Sequence, residues 1–264
     1  MGNRLVRVLS KARKNKRKLF CAYVTLGYPS LRQTESLALT LQNAGTDILE
    51  LGFPFSDPLA DGPTIQYASE QSIKKGTHFE DSFRVMRKLR REGLHIPVLF
   101  FSYFNPIHHY GVDAFVRKSR YAGLDGAIIP DLPPDEARSL EERFHKAGLS
   151  LVYLVAPTTE RTRMKHIAKR SNGFVYYVSL RGVTGARRAV PADLTERLRL
   201  LKRQTSKAIL VGFGVSHPGQ VRSIARNADG IVVGSAIIDR LRRGKGIRAV
   251  GSYVSRLVRA LNPK

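Results

Sequence analysis

The chain has 264 residues, of which 42% are hydrophobic and 25% charged, with 22 Gly and a single Cys. These figures exclude long disorder, a collagen-like repeat and a disulfide-stapled scaffold. The charge is unusual: 45 Lys and Arg against 21 Asp and Glu leave +24 at pH 7, a balance that raises the expectation of polyanionic partners.

The distribution of that charge tempers the expectation. Arg4, Arg7, Lys11, Arg13, Lys14, Lys16, Arg17 and Lys18 run without an acid among them, and residues 240–259 carry seven more cations. Both stretches interleave Leu, Val and Ile at helical spacing, which describes solvated faces of outer amphipathic helices. No aromatic-interleaved basic motif accompanies them, so nucleic acid ranks below that reading. The longest apolar runs are far too short to cross a bilayer, and no signal stretch opens the chain. Cys21 stands alone, which excludes an internal disulfide and makes a reducing cytoplasm the expected compartment. On its strand it reads as packing rather than as a nucleophile.

Short apolar runs alternate with longer amphipathic segments throughout. Strands are expected at 19–25, 48–52, 98–102, 126–129, 150–155, 174–179, 208–212 and 230–233. Their continuous Val, Ile, Tyr and Phe content suits parallel strands covered on both faces. Helices are expected at 32–44, 79–91, 112–122, 135–147, 161–169, 194–204, 219–226 and 247–261, several closing on a glycine such as Gly45, Gly93 or Gly123. About eight βα units in this length specify a (β/α)₈ TIM barrel, here a single domain over residues 1–264 with an extra N-terminal helix at 5–16 capping its bottom. The rival, a doubly wound open sheet, calls for a glycine-rich turn after the first strand. That turn reads TLGYP at 25–29 and lacks the further glycines.

In a barrel of this kind, function sits at the C-terminal ends of the strands and in the loops that follow. After the second strand comes LELGFPFSDPLADGPTIQ at 49–66. Glu50 lies within an otherwise apolar strand, where a carboxylate is costly unless it is paired or used. Asp57 and Asp61 follow in a loop stiffened by Pro54, Pro58 and Pro63. Turn formation accounts for either aspartate alone, but three carboxylates on one strand end and its loop point to acid/base chemistry. Opposite in sequence lies a glycine cluster: SLRGVTGA at 179–186, GFGVS at 212–216 and GSA at 234–236. Glycine turns leading into a helix at Ser235 suit a phosphate cradle of backbone N–H groups. No lysine falls at a strand's C-terminal end, as an imine mechanism requires, and the seven His are scattered rather than gathered as metal ligands. The residues therefore suggest carboxylate chemistry on a small phosphorylated substrate, with no metal.

These segments, together with YVTLGYP, YFNPI and GSAI, resemble the tryptophan synthase alpha chain in motif order and spacing, from about Tyr23 to about Ile237. The resemblance implies a cytoplasmic barrel that cleaves indole-3-glycerol phosphate to indole and glyceraldehyde 3-phosphate in tryptophan biosynthesis. It implies no cofactor on this chain, and a beta-chain partner in an α₂β₂ complex that uses pyridoxal phosphate. Carried over by position, Glu50, Asp61 and Tyr176 match catalytic residues. Tyr23, Phe213, Thr184, Gly185, Gly214, Gly234 and Ser235 match substrate-binding ones, the glycines and Ser235 around the phosphate. Pro54 and Asp57 match the loop that meets the partner. Two other expectations are weighed against this one: a barrel turned basic nucleic-acid module, and a non-catalytic chain that only activates its partner. The intact Glu50, Asp61, Tyr176 and glycine turns count against the last.

Overall fold

The computed structural model describes residues 3–178, 192–212 and 214–263. Its strands are β1 (Leu19–Thr25), β2 (Ile48–Gly52), β3 (Val98–Phe101), β4 (Gly126–Ile128), β5 (Ser150–Val152), β6 (Leu154–Val155), β7 (Phe174–Val178), β8 (Ala208–Gly212) and β9 (Gly230–Val233). All pair in parallel, in the order β5-β4-β3-β2-β1-β9-β8-β7-β6. β5 and β6 are two halves of one strand broken at Tyr153, so the order closes on itself. Across the break, the Tyr176 N–H donates to the Tyr153 carbonyl (3.1 Å) and the Asn172 N–H to that of Leu151 (2.8 Å). The result is the expected eight-stranded barrel.

The helices are α1 (Arg4–Lys14), α2 (Leu31–Asn43), α3 (Pro63–Lys74), α4 (Phe79–Arg91), α5 (Phe104–Tyr110) and α6 (Val112–Ala122). They continue as α7 (Arg138–Lys146), α8 (Arg161–Arg170), α9 (Ala192–Gln204), α10 (Pro218–Ala225), α11 (Ser235–Arg242) and α12 (Ile247–Leu261). α6 closes on Gly123 at φ 83°, a left-handed cap that a side chain would strain. α7 starts at 138 rather than 135, because Pro133 and Pro134 open a tight turn in which the Glu136 and Ala137 N–H groups bond back to their carbonyls.

Alternation along each strand splits the apolar residues into two cores. Outward-facing Phe20, Ala22, Val24, Leu49, Leu51 and Phe100 pack beneath the helices. Inward-facing Leu19, Cys21, Ile48, Leu99, Ile128 and Phe174 fill the barrel, with Tyr176, Leu210 and Val232 among them. Both sets are almost wholly removed from water, which explains strands that are predominantly apolar on both faces. At the bottom, α1 turns Leu5 and Ala12 into the inner core. Asn3 holds its end, donating from its amide to the carbonyls of Asp125 and Gly148.

Three aspartates secure the bottom rim in one way. Asp47, Asp125 and Asp229 directly precede β2, β4 and β9, and each accepts a backbone N–H from the adjacent strand: Phe20 (2.9 Å), Val98 (3.0 Å) and Ile209 (3.0 Å). Each also meets a cation: Arg17 for Asp47, Arg90 and Arg4 for Asp125, and Lys202 for Asp229. The carboxylates at this end of the barrel are thus structural, which leaves those at the other end for chemistry.

Candidate active site

Glu50 is the middle residue of β2, and register places it beside Tyr23 of β1 and Leu99 of β3. Its side chain points into the barrel and is only 1% exposed. Among the described residues its one hydrogen bond comes from the thiol of Cys21, 3.4 Å from Oε1. Burial among apolar side chains disfavours the charged form and pushes the Glu50 carboxyl up to about 8, with the Cys21 donor pulling slightly the other way. At neutral pH this acid keeps its proton. Burial, and secondarily the neighbouring Glu50, raises the Cys21 thiol well above its usual range, so that it is no nucleophile.

Asp61 lies in the loop between β2 and α3. Desolvation raises it too, but only to about 6, because the phenol of Tyr103 donates a hydrogen bond to it. Tyr103, two residues past β3, also accepts the Ala60 N–H at 2.8 Å, and its ring packs on Phe55. Gln66 adds a bond to the Asp61 carbonyl at 2.9 Å. The aspartate is therefore held by a loop pinned at three points, and it is ionised at neutral pH.

Two tyrosines connect this pair to the glycine turns. The phenol of Tyr23 feels both Asp61 and Glu50, as does that of Tyr176, and burial raises both phenols well above their ordinary range. Each ring lies where only a glycine leaves room. A Cβ on Gly52 would stand 2.1 Å from the Tyr23 hydroxyl, one on Gly234 would stand 3.0 Å from the Tyr23 Cβ, and one on Gly212 would stand 2.5 Å from the Tyr176 hydroxyl. Phe101 meets Tyr23 edge-on at 5.5 Å between centroids. Tyr23 thus spans the barrel mouth from the carboxylates to the turn after β9.

At that turn Gly234 is the N-cap of α11 and has no side chain to occupy the first N–H groups of the helix. The first intrahelical bonds run from Ile237 and Ile238 to the Gly234 carbonyl (2.8 and 3.1 Å). Among the described residues no acceptor meets the N–H groups of Ser235 and Ala236, which suits them to an anion. Gly214 adopts φ 41° after β8. Its turn is anchored from outside by Tyr253 of α12, whose hydroxyl donates to the Ser216 carbonyl at 2.9 Å.

Glu50, Asp61, Tyr176, Tyr23, Gly214, Gly234 and Ser235 therefore all lie at the C-terminal end of the barrel. Thr184, Gly185 and Phe213 lie outside the described residues. Two neighbours escape sequence reasoning as functional residues: Tyr103, present within the YFNPI motif but without a role, and Cys21, read only as packing.

A sequence model of the family described as "Tryptophan synthase alpha chain" matches residues 9–259. The chain belongs to the tryptophan synthase alpha chain family. It is 40% identical over 258 residues to the tryptophan synthase alpha chain of Geotalea daltonii, covering 98% of this chain and 97% of that one. To the alpha chain of Halalkalibacterium halodurans it is 45% identical over 230 residues, covering 87% and 86%. The crystal structure of tryptophan synthase subunit alpha from Legionella pneumophila superposes with a TM-score of 0.92 at 36% identity, covering both chains fully. Among the described residues placed at the barrel mouth, Glu50, Asp61, Tyr176, Tyr23, Gly214, Gly234 and Ser235, none is a cation, so the +24 has no counterpart there.

Proposed function

We propose that this chain cleaves indole-3-glycerol phosphate to indole and glyceraldehyde 3-phosphate, with Glu50 and Asp61 as its catalytic carboxylates. One arrangement carries the reading: two acids share one barrel mouth in unlike environments, Glu50 wholly buried on β2 and pushed up to about 8, Asp61 held by Tyr103 in the next loop and raised only to about 6. Environments that separate two such groups assign the acid and the base.

The bond between indole C3 and the glycerol side chain breaks only after C3 is protonated, which places positive charge on the ring nitrogen. Glu50 holds the proton for C3, and its carboxylate then takes the proton of the adjacent side-chain hydroxyl as that carbon becomes the aldehyde carbonyl. Asp61, ionised beside the indole N–H, stabilises the developing cation in a poorly hydrated site. Tyr176 orients the side-chain hydroxyls. Tyr23 and Phe213 wall the indole ring, and Gly214, Gly234, Ser235 and Gly185 grip the terminal phosphate. By its place in the sequence motif alone, Thr184 is given the role of helping to exclude water from the reaction. Proton and electron counts balance without oxidant or reductant, and the carboxylates alone carry the proposed proton transfers.

A beta chain is the proposed partner, docked on the loop containing Pro54 and Asp57, where Leu59 stands 93% exposed. A large apolar side chain so bare suits a surface covered in a complex. The cytoplasm is the proposed compartment, as a lone reduced thiol suggests; no helix among the described residues is long and apolar enough to cross a membrane.

The test is indole release from indole-3-glycerol phosphate across pH. A bell in kcat/KM with limbs near 6 and 8 is expected, whereas no release at any pH, with or without a beta chain, overturns the assignment. Cys21 supplies a finer check. Its donor holds Glu50 down, so Cys21→Val should move the alkaline limb upward and Cys21→Ser, a stronger donor, should move it downward. Plateau turnover should change by no more than roughly tenfold, since a neutral hydrogen bond contributes only about 0.5–1.5 kcal/mol.

A further inference from the structure

At the end of the barrel remote from Glu50, a cavity of about 800 Å³ opens beneath α1. Its rim is formed by the residues that lead into the strands, Leu19, Gly173, Ala208 and Asp229 among them. Six cations line it, Arg13, Lys16, Arg17, Lys18, Lys202 and Lys207, against the single acid Asp229. Val6 and Leu9 supply its accessible apolar wall, backed by the buried Ala12 and Leu19.

Much of this charge is fixed in place. Lys207 spends all three of its donors on the carbonyls of Ala168, Lys169 and Ser171 (2.8, 2.8 and 2.5 Å), so it contributes field rather than contact. Lys18 is tethered to the Ala228 carbonyl at 2.7 Å, which among the described residues leaves two of its donors for a ligand. Burial lowers Lys18, Asp229 partly restores it, and the ammonium of Lys202 lowers it further. These two ammonium groups therefore repel across the cavity. Arg17 and Lys202 have carboxylate partners, but Arg13 and Lys16 have none among the described residues.

Lys16 carries a second sign. α1 ends in a Schellman turn, with the Arg17 N–H on the Ala12 carbonyl (2.9 Å) and the Lys16 N–H on that of Arg13 (3.2 Å). The residue in the left-handed position of such a turn is normally glycine. Here it is Lys16 at φ 51°, the only non-glycine residue at positive φ among the described residues. The chain thus places a long cation where folding alone favours no side chain, at the lip of the cavity.

We propose that this cavity is a binding site for a small organic phosphate ester with more than one negative charge. Arg13, Lys16 and Lys18 would meet the phosphates, and its apolar or ring portion would lie on Val6 and Leu9. Lysine ammonium groups suit phosphate as point charges, the volume fits a small-molecule site, and the apolar wall favours an organic ligand over a bare ion. The site also gives part of the +24 a use.

Calorimetric titration of the full chain at about 0.15 M salt, where remote charges are screened, tests this with ADP and inorganic pyrophosphate as probes. Saturable one-to-one binding is expected, tighter for ADP. Lys16→Gly and Arg13→Gln should each weaken it about tenfold, while Arg117→Gln on α6, equal in charge lost, leaves it unchanged. Lys16→Gly should also raise the thermal midpoint, separating ligand use from stability. No binding, equal affinity for both probes, or equal weakening by Arg117→Gln would overturn the proposal. So would salt-steep binding of a single-stranded oligonucleotide that ADP does not displace, which would mark a nucleic-acid surface instead.

Discussion

Glu50→Gln is expected to lower kcat for indole release by roughly 10³–10⁴-fold, the upper range for losing a positioned general acid, and to make the protein harder to unfold. The two effects share a cause. Burial raises Glu50 from its ordinary 4.5 to about 8, so the folded chain binds this proton more tightly than the unfolded one. The group therefore costs nothing below about pH 4.5. As pH rises toward 8 the unfolded chain gains by ionising while the folded chain cannot, and stability falls by up to about 1.4 kcal/mol for each unit separating the two values. Glutamine fills the same space without that liability. Urea unfolding at pH 5 and pH 8 should show the variant close to the parent at the lower pH and clearly more stable at the higher. Unchanged turnover in Glu50→Gln would remove Glu50 from the chemistry, and a variant less stable at pH 8 would remove the account of its burial.

Asp61→Asn should reduce turnover by roughly 10²–10³-fold, the range for deleting one preorganised electrostatic contact to a developing charge. KM should change far less, because the cation that Asp61 meets arises only as C3 is protonated. Tyr103→Phe distinguishes the positioning of Asp61 from its charge. The phenol donates to Asp61 and restrains its rise, so without that donor Asp61 moves above 6 and the acid limb shifts toward neutrality. The Ala60 N–H loses its acceptor at the same time, and the loop loosens. Turnover at pH 8, where Asp61 stays ionised, should recover much of the deficit seen at pH 6.5. A profile unmoved by Tyr103→Phe would show that this hydrogen bond has no hold on Asp61.

What could be read from the sequence follows from what local patterning encodes. Strands buried on both faces betray themselves by continuous apolar content, and a carboxylate inside one, Glu50, stands out at once. The break at Tyr153 is invisible, since Ser150 through Val155 reads as one run and only pairing shows where the ladder lapses. Two helices leave too little trace to be anticipated. α3 begins at Pro63 directly after a loop full of prolines, and its PTIQYASEQSIK is small and polar without a strong apolar stripe. α5 is only seven residues long and holds Pro106 in its first turn, where a missing N–H does no harm. The supporting groups of the site are hidden for another reason. Cys21 meets Glu50, and Tyr103 meets Asp61, only because neighbouring strands bring them together. Likewise Gly52 and Gly212 matter for the tyrosine each admits, a relation between chain segments that spacing along one of them does not contain.

The inner core gives α1 an influence beyond its place at the bottom of the barrel. From Leu5 and Ala12 the packing runs through Leu19 and Ile48 to Cys21, one layer beneath Glu50. The helix acts as a stopper, keeping water from rising through the barrel to the carboxyl from below. A chain with that plug dislodged would let Glu50 ionise nearer its ordinary value and narrow the pH window from its alkaline side. The working range of the mouth is thus set in part by how tightly the far end is sealed.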